Sequence, residues 1–354
     1  MGVVMAINAQ RALKVIVGDD VDDLFARAGA VKVNSSRVMI GAGPHAGTKV
    51  LDVAEERPGK TMHHADLLRE LLAPIPPENM HASKKLVRIE EATSRPLTLH
   101  FSDNTSTPAD ALIGADSIFG FVRSHVLPPA HPAPMPVPVG WVGTINMVPT
   151  AKAREKLGAQ WFEEDRQYGW CIGTTIAPWT REGGERRKAV DRAYLEGVYE
   201  GWEEWVKAGM IELLLDQADP AAYATYEHLD APTYVNGHVC IAGDAAHAMA
   251  PWQGSGAAMA LEDAVILGGL FAKIISPDEI PRLLHVYNEA RRPRTQRIAK
   301  SSRQTGRILS GIDEDVGLDP GRMREALKDW WSFIYDFDLD AHIASAVKAL
   351  ENRA

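Results

Sequence analysis

The chain has 354 residues, 45% of them hydrophobic and 24% charged, with a formal net charge of −9. That length suits two domains, each with a core of its own, and the composition is that of an ordinary globular protein. The acidic balance argues against a nucleic-acid or anionic-lipid partner, and no apolar run reaches the roughly 18 residues of a membrane span.

The start, MGVVMAINAQRAL, lacks the basic stretch and long apolar core of a secretory signal, and Ala6 counts against myristoylation. Two cysteines, Cys171 and Cys240, cannot form a disulfide framework and fit a reducing compartment, so a cytoplasmic location is expected. Helices are expected at Asn8–Val17 and Ala65–Leu72. Leu97, Leu99 and Phe101 alternate with polar neighbours, which predicts a half-buried strand, followed by turn chemistry at Ser102-Asp103-Asn104. The apolar run Ala109–Ala115 predicts the next strand. Six prolines between Pro128 and Pro138 exclude a helix interior or central strand and mark a crossing between domains.

Strand-like pieces follow at Gly140–Val148 and Tyr168–Ile176, with a helical piece at Arg192–Val206. The chain then gives a strand at His238–Ala242, a nearly all-apolar helix at Ala257–Lys273 that should be buried, a long helix at Leu283–Leu309 and a helical tail after Pro320.

Chemistry concentrates in Cys240 to Ala257. The pattern is a strand, Gly243 and Asp244 at its carboxyl end, a loop holding Pro251, the glycines Gly254 and Gly256, then the apolar helix beginning near Ala257. Ligands in α/β sheets sit beyond the carboxyl ends of strands, where an Asp can accept hydrogen bonds from ligand hydroxyls. Glycines let backbone N–H groups approach a ligand, and a helix start presents the positive end of its dipole. Gly254-Ser255-Gly256 is not a nucleophile elbow, because Gln253 and Ala257 occupy the two glycine positions of G-x-S-x-G.

The stretch GDAAHAMAPWQGSGAAMALEDA resembles the GD motif of FAD-dependent aromatic monooxygenases, the salicylate-hydroxylase-like group, and is similar above all to fungal members. The resemblance implies that Asp244 binds the flavin ribityl chain, that N–H groups of Gly256 and Ala257 face the ring's O2, and that Pro251 lies beside the ring. DALIGADSIFGFVR, from Asp110 to Arg123, resembles the family's DG motif. Asp116 and Arg123 would then support FAD and the nicotinamide donor, with Ser117 where the family has glycine. His63 to Leu68 resembles the segment in which an Arg contacts FAD, and His64 stands in its place. The stretch from Tyr287 to Arg307 looks like the family's closing basic helix.

The implied fold is α/β: a Rossmann-like FAD-binding hydroxylase domain from residues 1–127 and 227–354, with a sheet-plus-helix substrate domain at 139–226. The implied activity is hydroxylation of a phenolic or aromatic-acid small molecule with FAD, NAD(P)H and oxygen. The family opens with a strand, GxGxxG, a helix and a second strand, and no GxGxxG opens this chain. Met1 to Leu13 resembles the segment after that unit, with Gly2 at a glycine that approaches the flavin. Roughly thirty to forty residues of the pattern, one strand–helix–strand unit, are absent. The expectation is a start placed too late or a fragment, with a genuinely shortened protein as the alternative.

A flavin-free descendant, either a pseudoenzyme or a non-redox isomerase or cyclase, is therefore the rival reading. Ile145, where family members often carry an Arg facing substrate, and an apparent shortening after Trp170 point the same way.

Other residues read as structural. His247 is expected to be a structural group and Cys240 a small core residue. His63 and His64 lack companions for a metal. The stripe Arg294, Arg297, Lys300, Arg303, Arg307 reads as a solvated helix face, and Glu212, Asp216 and Asp219 as another. Trp202 and Trp205 are expected in the core or at an interface.

Overall fold

Val239, Cys240 and Ile241 are fully buried, and their strand is the middle of a three-stranded sheet in the computed structural model. The structure describes residues 2–53, 57–91, 97–162, 166–171 and 186–353. On one side the middle strand pairs antiparallel with Val235–Asn236, and on the other parallel with Leu112–Gly114. An unbroken apolar run suits a strand covered on both faces. Its core partners include Ile266, Leu267 and Leu270 of the helix Gly256–Phe271 and Leu283, Leu284 and Tyr287 of the helix Ile280–Leu309.

The Leu112–Gly114 strand lies at the edge. Leu112 N–H bonds to His238 O and Ala242 N–H to Gly114 O, so residues 112 and 114 direct their polar groups at the middle strand. By alternation, Ile113 directs its own the other way. Among the described residues no strand meets that edge, and the Ile113 side chain is 43% exposed. The expected strand Ala109–Ala115 is in fact two. Ser106–Ala109 closes the meander with Leu97–Phe101, and Leu112 starts the edge strand after Asp110 breaks the run.

The opening strand Gly2–Met5 pairs antiparallel with Gly59–His63, and the helix Ile7–Val17 packs against Gly256–Phe271. A second core joins Met5, Leu13 and Phe25 to Ala258, Met259, Ile298 and Ile334. Val137–Thr144 pairs with Ala221–Glu227, which also takes Arg187–Ala189. Arg166–Cys171 runs parallel to Ser35–Ile40. The remainder of the strand expected at Tyr168–Ile176, and the shortening after Trp170, lie outside the described residues.

The helix expected at Arg192–Val206 is two helices, Arg192–Val198 and Glu204–Leu215. Gly201 has φ +80° between them, a conformation in which a helix cannot continue. The tail forms three helices, Pro320–Leu327, Ser332–Tyr335 and Leu339–Glu351, the first and last capped by Asp319 and Asp338. Among the described residues, no helix is long and apolar enough to cross a membrane.

Candidate functional site

Beyond Ile241 the chain turns sharply. Gly243 has φ +56° and ψ −141°, and Asp244 opens the short helix Asp244–His247. A single 3-10 turn, Pro251–Gln253, is closed by Gly254 at φ +60°, and the helix Gly256–Phe271 then begins. Ala245, Ala246, His247, Ala248 and Gln253 are buried, whereas Asp244, Pro251, Gly254 and Ala257 are exposed and Gly256 half-buried. The segment is thus anchored by one set of residues and opens to solvent through another.

The Asp244 carboxylate has no hydrogen-bond partner among the described residues, and a Cβ placed on Gly256 would lie 4.0 Å from its Oδ1. The helix start behind it has no side-chain cap, because the Ser255 hydroxyl donates to Gln253 O rather than accepting from the first turn. Free N–H groups at the positive end of a helix, beside a free carboxylate, can serve a ligand carrying both hydroxyls and developing negative charge.

The second expected segment is built differently. Asp116 is exposed, but its Oδ2 accepts from Val122 N–H at 3.0 Å, and the carboxylate lies where a Gly120 Cβ would be only 2.1 Å away. Ser117 has φ +72°, the left-handed conformation that glycine adopts without strain. Arg123 is 1% exposed. Its Nε donates to Ala133 O at 2.7 Å, Nη1 to Ala245 O and Ala246 O at 2.9 and 2.7 Å, and Nη2 to Leu229 O at 3.2 Å. Burial pushes this guanidinium down to about 10. Four of the five guanidinium N–H groups of Arg123 thus go to backbone carbonyls, two of them in the Asp244 helix, and the side chain braces that helix.

Gly2 pairs with His63, and the exposed His64 begins the helix His64–Leu72, so these two expected residues lie together. The Gly2–Met5 strand touches the helix Gly256–Phe271. No hydrogen bond joins His64 to the Asp244 segment among the described residues. Ile145 lies one residue past the end of Val137–Thr144, half-exposed, and its carbonyl accepts from Gln217.

One part of the site went unread in the sequence. Glu262 and Asp263, 1% and 0% exposed, sit in the middle of the helix taken as apolar all round. Arg291 Nε reaches Asp263 Oδ1 at 2.7 Å and its Nη1 reaches Glu262 Oε2 at 2.8 Å; Arg294 Nε adds a second ion pair to Glu262 at 2.7 Å. Arg294 therefore leaves the expected solvated stripe, and Arg303 pairs with the buried Glu227 at 2.6 Å. Burial alone would raise the Asp263 carboxyl, but His247 and Arg291 hold it down at about 2. The two arginines likewise keep Glu262 below the usual range against the opposing effect of burial. Two adjacent acids inside an apolar helix were the available signal, because buried charges demand partners.

His247 Nε2 lies 2.6 Å from Asp263 Oδ2, a structural placement, and burial pushes the Cys240 thiol up to about 12. Trp252, beside Pro251, meets Trp141 edge-on at 5.3 Å. Both indoles crowd the helix at Gly306, where a Cβ would come within 2.4 Å of Trp252 Nε1.

A family model described as an FAD binding domain matches residues 90–302. The 6-methylsalicylate 1-monooxygenase of Aspergillus terreus is 32% identical over 328 residues, 86% of this chain and 72% of that protein. A salicylate hydroxylase of Pseudomonas putida is 28% identical over 322 residues, 81% of this chain and 71% of that protein. In fold, a salicylate hydroxylase substrate complex superposes with a TM-score of 0.85 at 24% identity, covering 98% of this chain and 90% of that one.

Proposed function

The chain belongs to the family of FAD-dependent aromatic monooxygenases, salicylate hydroxylase-like, and from that premise we propose that it hydroxylates a phenolic or aromatic-acid small molecule with NAD(P)H as electron donor. One oxygen atom of O2 enters the ring in place of hydrogen. The other leaves as water, and NAD(P)H with a proton supplies the two electrons and the hydrogen. Bound FAD would supply the redox chemistry, taking electrons from the nicotinamide and activating oxygen.

The residues present fit the ring-and-ribityl end of FAD. The observation that carries the reading is the free Asp244 carboxylate standing beside an uncapped helix start. Asp244 would accept hydrogen bonds from ribityl hydroxyls, and the N–H groups of Gly256 and Ala257 would stabilise negative charge on the reduced ring. Pro251 and Gly254, exposed on the same turn, would lie against the ring, and Gly2 would approach it from the neighbouring strand. Asp116 and Arg123 act through the backbone they brace. Trp141 and Trp252, in edge-on contact, would form an apolar wall that excludes water from the reacting ring.

The test is reconstitution. Purified protein titrated with FAD should quench the flavin's fluorescence and keep a visible flavin spectrum after gel filtration. Salicylate or 6-methylsalicylate should then stimulate NADH or NADPH oxidation, with a dihydroxylated product. Protein that stays colourless defeats the oxygenase reading and leaves the flavin-free one.

A further inference from the structure

Gly243 is gripped from both sides. Its carbonyl accepts from Ala246 and His247 N–H at 2.9 and 3.0 Å, whereas its own N–H donates to Asp263 Oδ2 at 2.9 Å rather than to any backbone group. The φ +56°, ψ −141° conformation is one that local sterics do not enforce, so a tether has to select it. Asp263 supplies that tether from the helix whose first turn fronts the site. It is 0% exposed, and it is itself fixed by His247 Nε2 at 2.6 Å and Arg291 Nε at 2.7 Å.

We propose that Asp263 is a positioning residue which, through the Gly243 N–H, fixes the turn that aims the Asp244 carboxylate at its ligand. The inference rests on Asp244 being the ligand contact. Asp263 cannot touch the ligand itself, and because it links the strand end to the helix interior it sets the spacing between Asp244 and the helix N-terminus. A generic core carboxylate would stabilise the fold without discriminating between the Asp244 turn and any other element.

The test is a double-mutant cycle on the full chain, read by FAD fluorescence quenching, with amide hydrogen exchange at Gly243 as a flavin-independent arm. Asp263→Asn should weaken FAD binding about tenfold with Asp244 present and by less than about twofold in an Asp244→Ala background. It should also accelerate exchange of the Gly243 amide. Equal losses of affinity in both backgrounds overturn the proposal, as does unchanged Gly243 exchange. If Asp263→Asn does not fold, exchange in the unmodified chain decides, and a Gly243 amide as fast as an exposed loop overturns it. If the unmodified chain takes up no FAD, the Asp244 reading fails separately and the exchange arm still judges the tether.

Discussion

Asp244 and Asp116 stand just past the carboxyl ends of two neighbouring parallel strands, Val239–Ile241 and Leu112–Gly114, and they do opposite things. The Asp116 carboxylate, though exposed, turns back on the chain, accepting from Val122 N–H and lying against Gly120. Asp244 has no such partner among the described residues and stays open. Position at the end of a strand therefore does not by itself leave a carboxylate open. What decides is whether the chain's own N–H groups have already taken the carboxylate.

Arg123 links the two turns, and removing it should produce the largest effect. Arg123→Met leaves the carbonyls of Ala133, Leu229, Ala245 and Ala246 without their donor. A loss of about 3–5 kcal/mol is expected, visible as a collapse of the denaturation midpoint. A near-normal midpoint would show that the two turns are independent.

The pair of alanine variants breaks the comparison directly. Asp244→Ala should weaken FAD binding by about 2–3 kcal/mol, the scale of hydrogen bonds to a charged group, and leave the melting temperature of the flavin-free protein unchanged. Asp116→Ala should do the reverse. The lost cap costs about 1 kcal/mol of stability, and affinity moves only slightly. Equal effects on affinity from both would erase the distinction drawn here.

How far the sequence reveals this contrast depends on how local each feature is. The Asp244 segment is continuous, and its strand, turn and helix emerge where residue types and spacing place them. The turned-back Asp116 carboxylate was not legible, because its acceptor role depends on a backbone path through Ser117 and Gly120 that periodicity does not encode. Glu262 and Asp263 announced a conflict with their apolar helix, but their partner Arg291 lies on another helix, and only tertiary packing unites them. The break at Gly201 and the split at Asp110 were missed for a related reason. Each is a single backbone departure inside a stretch of consistent pattern.

Acid should sharpen the contrast from the Asp244 side. His228, whose N–H donates to Ala248 O at the end of the Asp244 helix, is 5% exposed. Burial, with repulsion from Arg123 and His247, pushes its imidazole down from 6.5 to about 3. The folded chain keeps this ring neutral while the unfolded chain protonates it below about 6.5. Its contribution is therefore complete above that pH and lost progressively toward about 3, at roughly 1.4 kcal/mol per pH unit. Thermal unfolding should show a fall of about 2 kcal/mol between pH 6.5 and 5, and His228→Met should flatten that slope. An unchanged slope in the variant would assign the acid sensitivity elsewhere.

The smallest expected effect tests what holds the Asp116 turn. Ser117 adopts φ +72°, which costs a residue with a Cβ about 1 kcal/mol relative to glycine. Ser117→Gly removes that strain but gives the unfolded chain more freedom, which offsets it by roughly 0.5–1 kcal/mol. The net change in stability should thus stay within about 0.5 kcal/mol, whereas the β-branched Ser117→Val should lose more than about 1 kcal/mol. If Ser117→Val were as stable as the parent, the turn would have relaxed out of the left-handed region. The cap from Asp116 to Val122 would then be a consequence of the turn rather than its cause.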